Sequence, residues 1–187
     1  MTKKFLILGL GNPGALYQKT RHNIGQDFVS WLKEQYHASD WQKESKNFAQ
    51  ISVSEDQNKK VVFALPIIFM NETGKAIKQL EKYYRVPLKN LIVIHDDNDI
   101  DVGNFKFSFD RGSAGHKGIE SIIKNLGAKR FYRLRIGIQP KKEPRKKAEN
   151  LVLKKFSPEE RKIITENFVL MKKVLEEKLE GSNKMQN

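Results

Sequence analysis

Four histidines, His22, His37, His95 and His116, are the side chains in this sequence best suited to moving a proton near neutral pH. His22 stands out by its setting. It lies in Tyr17-Gln18-Lys19-Thr20-Arg21-His22-Asn23, at the start of a helical pattern and shortly after the turn Gly11-Asn12-Pro13-Gly14. A histidine base needs a carboxylate to fix its tautomer and amides to hold a carbonyl oxygen. Asp96, at the end of an apolar run, can supply the carboxylate, and Asn12 is an amide presented by a turn. Each of the other histidines, taken alone, reads as a packed or surface residue.

The acidic stretch His95-Asp96-Asp97-Asn98-Asp99-Ile100-Asp101 raises the question of a metal. A calcium loop read from Asp97 needs glycine at its sixth position and glutamate at its twelfth, where Val102 and Ser108 stand. The calcium pattern fails, while one or two of these carboxylates remain free to hold magnesium. Gly9-Leu10-Gly11-Asn12-Pro13-Gly14 matches the G-x-G-x-x-G of dinucleotide sites, but no helix pattern starts at the motif and Glu34, the nearest acid at the required distance, falls inside a helix. The glycines fit better as a sharp turn that presents Asn12. Gly112-Ser113-Ala114-Gly115 lacks the spacing of a serine-hydrolase elbow. With no cysteine, disulfides, thiol nucleophiles and thiolate metal sites are excluded.

The elements that must position these residues follow from periodicity. Phe5 to Leu10 is continuously apolar and reads as a strand covered on both faces, and Leu91 to Ile94 as a second, stopping at His95-Asp96. Ile24, Phe28, Trp31 and Leu32 predict a helix over 23–36, with Thr20 as a nearby cap. Phe48–Val53 and Val61–Leu65 flank a polar turn, a hairpin pattern. Asn71 and Thr73 can cap a helix through Ile77, Leu80 and Tyr84 that ends before Pro87. Phe105 to Phe109 and Leu134 to Ile138 alternate as strands, with a helix through Ile119, Ile122, Ile123 and Leu126 between them. Pro158 to Leu179 predicts one long amphipathic helix. Strands alternating with helices, plus a hairpin, give an α/β fold: a single three-layer α/β/α domain over 1–180 with a mixed central sheet, and a flexible tail over 181–187.

At 187 residues the chain suits one domain. Its 35 basic and 22 acidic residues leave a formal charge of +13, which favours a polyanionic partner such as nucleic acid. The stretch Lys141–Lys147 holds five of those cations and one acid, and reads as an exposed, mobile basic loop able to touch phosphates. The opening apolar run is too short for a signal peptide or a membrane span.

Taken together, these blocks resemble the bacterial-type peptidyl-tRNA hydrolases. The resemblance rests on Gly9-Leu10-Gly11-Asn12-Pro13-Gly14 with Tyr17 and Thr20-Arg21-His22-Asn23, then Phe69-Met70-Asn71 with Gly74, then His95-Asp96-Asp97 with Asp99. Gly115-His116-Lys117-Gly118 and Arg133-Leu134-Arg135-Ile136-Gly137 complete the series, in the family's order over roughly residues 3–180. The resemblance implies a monomeric cytoplasmic enzyme, without metal or cofactor, that hydrolyses the ester between a peptide and tRNA and so recycles tRNA. By position it makes His22 the base, Asp96 its orienter, and Asn12 and Asn71 the holders of peptide and scissile ester. Tyr17 and Met70 line the cleft, His116 and Lys117 bind substrate or tRNA, Arg135 meets tRNA phosphate, and the basic loop and final helix border the cleft as a lid. Two positions depart from the family. Lys117 replaces its usual asparagine, and Ser108 stands where many members have a basic partner for Arg135, a role left to Lys106. A catalytically weak RNA-binding relative is the alternative; Lys117 favours it, and the retention of Asn12, His22, Asn71 and Asp96 opposes it.

Overall fold

The computed structural model describes residues 2–141 and 144–181. Lys142 and Glu143 of the basic stretch, and the expected tail after Gly181, lie outside the described residues. β1 (Lys3–Gly9) is apolar from Phe5 to Leu8 because both of its faces are covered: Phe5 and Ile7 enter one core, Leu6 and Leu8 the other. It pairs in parallel with β4 (Lys59–Pro66) on one side and β5 (Leu91–Asp101) on the other. β5 pairs in parallel with β7 (Tyr132–Gln139), which carries the antiparallel edge strand β6 (Phe105–Phe109). On the opposite side β3 (Ala49–Glu55) forms the hairpin with β4, and β2 (Gln42–Glu44) closes that edge. The sheet order is β2-β3-β4-β1-β5-β7-β6, a mixed seven-stranded sheet.

Helix α1 (Ile24–Gln35) covers one face together with α4 (Pro158–Glu166) and α5 (Phe168–Gly181), through Ile24, Phe28, Leu32, Ile164, Phe168 and Leu175. Helices α2 (Thr73–Tyr84) and α3 (Lys117–Leu126) cover the other through Ile77, Leu80, Ile119 and Ile122. This is the expected three-layer arrangement. Each fully buried side chain of this kind contributes about 1.5–3 kcal/mol relative to exposure.

Several boundaries differ from expectation. β5 does not stop at His95-Asp96 but runs on to Asp101, because β7 continues to pair with it after β1 has ended. The long C-terminal helix is broken at Asn167, whose Nδ2 donates to the Gly103 carbonyl at 2.8 Å. Thr20 and Thr73 do not cap their helices: each hydroxyl donates to a carbonyl three residues back, Tyr17 and Met70 respectively, and Asn71 makes no cap bond. Phe48 adopts a left-handed conformation, so the third strand starts at Ala49.

Candidate active site

The cleft opens where β1 ends at Gly9 and β5 continues past Ile94, at the carboxyl ends of parallel strands where open α/β sheets hold ligands. Two glycines bring the histidine-bearing turn to this point. A Cβ on Gly9 would lie 2.6 Å from the Gly25 carbonyl oxygen, and one on Gly25 would lie 2.3 Å from that of Ile94. The first turn of α1 therefore rests directly on the strand ends. The G-x-G-x-x-G match thus reflects helix-on-strand packing, which the spacing did not reveal, followed by the expected turn that presents Asn12.

Within that turn, the Asn12 backbone N–H donates to Asn23 Oδ1, and Asn23 Nδ2 donates back to the Asn12 carbonyl, both at 2.9 Å. Asn12 Oδ1 accepts from the Met70 N–H at 2.8 Å. Its oxygen is thereby occupied, and its Nδ2 is left as the donor facing the cleft that Asn12 lines.

His22 sits in a short 3-10 turn, Arg21–Asn23, just before α1. A strap over 151–155 holds it: the Arg21 and His22 N–H groups donate to the Lys154 and Val152 carbonyls, each at 2.8 Å. The Arg21 guanidinium donates to the Ile138 carbonyl at 2.8 Å and to Glu160 at 2.5 Å, tying the same turn to β7 and α4. His22 Nδ1 lies 2.7 Å from Asp96 Oδ1, and His116 Nε2 lies 2.9 Å from the same oxygen. Asp96 is 2% exposed. Burial alone would raise its carboxyl, but the His22 and His116 rings outweigh burial and hold it well below the usual range. It is an anion that fixes His22 with Nδ1 protonated and Nε2 free to accept a proton, a tautomer assigned by the network.

His22, Asp96 and His116 are the three described residues grouped closely enough to suggest a metal. Their spacing argues otherwise. A tetrahedral zinc with bonds of about 2.0–2.1 Å keeps its ligand atoms roughly 3.3 Å apart. Both nitrogens here stand within 2.9 Å of one carboxylate oxygen, which is hydrogen-bond geometry.

Asn12, His22, Met70, Asp96, His116 and Lys117 line a cleft of about 560 Å³. Its other wall is Ala148, Glu149, Val152 and Leu153, and not the final helix, whose apolar face is spent on the core. The end of the basic loop is also anchored, since the Lys146 carbonyl accepts from Gln139 Nε2 at 2.6 Å and from Asn98 Nδ2 at 3.1 Å. Tyr17 and Asn71 stand outside the lining: Tyr17 packs edge-on to Phe69, and Asn71 is exposed beside Met70. His37 occupies a left-handed position after α1 and takes no part.

A second, basic depression holds Lys106, Ser108, Arg111, Arg133 and Arg135. Lys106 faces Arg135 across the β6–β7 ladder, and Arg135 Nε donates to Asp97 at 2.6 Å, so its remaining N–H groups are available to an anion. Burial and then the neighbouring Arg135 push the Arg133 guanidinium down, with Asp97 opposing and Arg111 adding to the push. Sequence reasoning overlooked Arg133 as a site residue. Its alternation with Arg135 on β7 was the available signal.

Comparison with known proteins agrees with this geometry. The family model for peptidyl-tRNA hydrolases matches residues 6–187. The peptidyl-tRNA hydrolase of Mycoplasma capricolum subsp. capricolum is 43% identical over 163 residues, covering 87% of this chain and 86% of the relative. That of Clostridium tetani is 39% identical over 163 residues, covering 87% and 84%. The crystal structure of peptidyl-tRNA hydrolase from Acinetobacter baumannii superposes with a TM-score of 0.86 at 27% identity, covering 98% of this chain and 92% of that one. A turn that presents Asn12, a histidine fixed by a buried aspartate and a match along nearly the whole chain lead to one conclusion: the chain belongs to the peptidyl-tRNA hydrolase family.

Proposed function

We propose that this chain hydrolyses the ester joining a peptide to the 3′ ribose of tRNA, with His22 as general base. The observation that carries the reading is the 2.7 Å contact between His22 Nδ1 and Asp96 Oδ1 at the floor of the cleft, which leaves Nε2 to take a proton from water. The resulting hydroxide attacks the ester carbonyl carbon. Asn12 Nδ2, its own oxygen held by Met70, donates to the oxyanion that forms. The carbon–oxygen bond to the ribose then breaks, and the departing ribose oxygen takes the proton from His22 Nε2. Free tRNA and the peptide's carboxylic acid result, and the acid gives its proton to solvent.

Met70 shapes the cleft wall, while Lys117 and His116 border the 3′ end; Asn71 and Tyr17, outside the lining, meet the peptide only where it extends past Met70 and Phe69. Arg135 and Lys106 supply a phosphate contact in the basic depression, consistent with the +13 charge. Asn12, His22, Asp96 and His116 meet at the ends of strands of one sheet, a site that needs no second copy, and we take the chain to act as a monomer with residues 1–180 as one unit. No described helix is long and apolar enough to cross a membrane. A tRNA substrate supports an activity in the cytoplasm, where translation uses it. Beyond Lys117, no observation favours a catalytically weak RNA-binding relative.

The test is release of labelled N-acetyl amino acid from N-acetyl-aminoacyl-tRNA by the purified protein. Turnover that survives exhaustive chelation is expected. Absence of hydrolysis, with tRNA still bound, would restore the binding-only alternative.

A further inference from the structure

His116 is engaged at both ring nitrogens. Its Nδ1 accepts the N–H groups of Gly118 at 3.1 Å and Ile119 at 3.4 Å, so it serves as the N-cap of α3. An imidazole nitrogen that accepts two amide protons carries no proton of its own, and the ring's hydrogen is therefore on Nε2. That Nε2–H points at Asp96 Oδ1, the oxygen that also receives His22 Nδ1–H. On its far side the His95 ring packs edge-on at 4.7 Å between centroids. His95 is wholly buried, donates its Nδ1–H to the Asp96 carbonyl at 2.6 Å, and is kept uncharged by that burial.

We propose that His116 is a positioning residue, locked by the N-terminus of α3 as the Nε2–H tautomer, whose bond to Asp96 Oδ1 limits how much negative charge that oxygen offers to His22. Protonating His116 would put a hydrogen where two amide hydrogens already point, so the ring stays neutral while His22 cycles. The groups facing this array are Asp96, Asp97 and Asp99 from β5, His116 and Lys117 from α3, Glu149 across the cleft, and Arg133 near His95. Among them Asp96 alone contacts both imidazoles. The cap residue of one helix is in this way coupled to a base seated before another helix. The inference deepens the proposed esterase mechanism and rests on it.

Two conservative variants separate the two ends of the ring. In His116→Asn the side-chain oxygen takes the place of Nδ1 and keeps the cap, but the donor to Asp96 is lost. In His116→Gln the amide reaches the place of Nε2 and restores that donor. Histidine nitrogen NMR of the tRNA-free protein should show His116 as the Nε2–H tautomer through the His22 titration. In His116→Asn the His22 midpoint and the acid limb of kcat/KM should both move up by about 1 pH unit, the lower end of what loss of one hydrogen bond to a charged oxygen allows. In His116→Gln both should return toward their wild-type positions, with KM changed less than about twofold in either variant. The NMR arm needs no substrate, so it stands even if the esterase reading fails. A His116 ring that protonates with His22, or a pair of variants that raise KM while leaving the His22 titration in place, would overturn the proposal.

Discussion

Replacing Asp96 by asparagine probes the site at its most constrained atom. In the native protein two imidazole N–H groups end on Oδ1, at 2.7 Å from His22 and 2.9 Å from His116. Asparagine keeps one carbonyl oxygen but loses the charge, and a charge-assisted bond is about twice as strong as a neutral one. If the amide turns its NH2 toward His22 instead, Nδ1 becomes an acceptor and the proton moves to Nε2, where the lone pair is needed. Loss of the charge alone weakens imidazolium stabilisation by roughly 1.5–3 kcal/mol, and the wrong tautomer adds to that. The single-turnover rate of ester cleavage should fall by about 10²–10⁴, with tRNA affinity nearly unchanged because a carboxylate does not hold phosphate. A rate within about threefold of wild type would refute the assignment and point to Asp97 or Asp99. The same variant carries a pH signature. Burial would raise the Asp96 carboxyl, yet His22 and His116 hold it well below its ordinary value. A depressed carboxyl stabilises the fold fully above the unfolded value of about 3.9, and that stability is lost as pH falls through the folded value. The wild-type urea midpoint should drop below about pH 4, and Asp96→Asn should lack this part of the drop.

Other perturbations address the surroundings. Affinity for tRNA should fall steeply with salt, and Arg135→Ala and Lys106→Ala should each lower the slope by about one; an unchanged slope would leave the basic depression without a phosphate. Lys117, exposed at the start of α3 and lining the cleft, cannot accept a hydrogen bond as the family's asparagine does. Lys117→Asn should therefore raise the saturating rate a few-fold, whereas a fall in both rate and affinity would show lysine to be an adapted phosphate contact. Breaking the largely buried Arg21–Glu160 pair by Arg21→Ala should cost about 3–5 kcal/mol in urea unfolding and slow ester cleavage by loosening the His22 turn; stability within about 1 kcal/mol of wild type would contradict that role.

The parts of the fold that were legible in sequence are those set by apolar periodicity. β1 declared itself because both faces are buried, and α1 to α3 because Ile24, Ile77 and Ile119 begin stripes at helical spacing. What escaped depends on polar partners distant in the chain. β2 is three polar residues on a sheet edge, with no alternation to reveal it. The extension of β5 through its acidic run is supported by pairing with β7 and by the Arg135–Asp97 contact, neither of which leaves a local pattern. The break at Asn167 follows from a bond to Gly103, with neither glycine nor proline to mark it. That Asn12, His22 and Asp96 would meet was legible because a base, an orienter and an amide are distinct chemical needs. The second claim on Asp96 Oδ1 was hidden, since the tautomer of His116 is decided by amides at the head of α3.

The most direct measurement of the central claim is single-turnover cleavage of N-acetyl-aminoacyl-tRNA by the wild-type protein and by His22→Ala, paired with the tRNA affinity of each. The wild type should release free tRNA, and His22→Ala should be slower by about 100-fold or more with affinity intact, because the imidazole acts on water and not on the polyanion. Cleavage by His22→Ala at the wild-type rate would contradict a histidine base at this position.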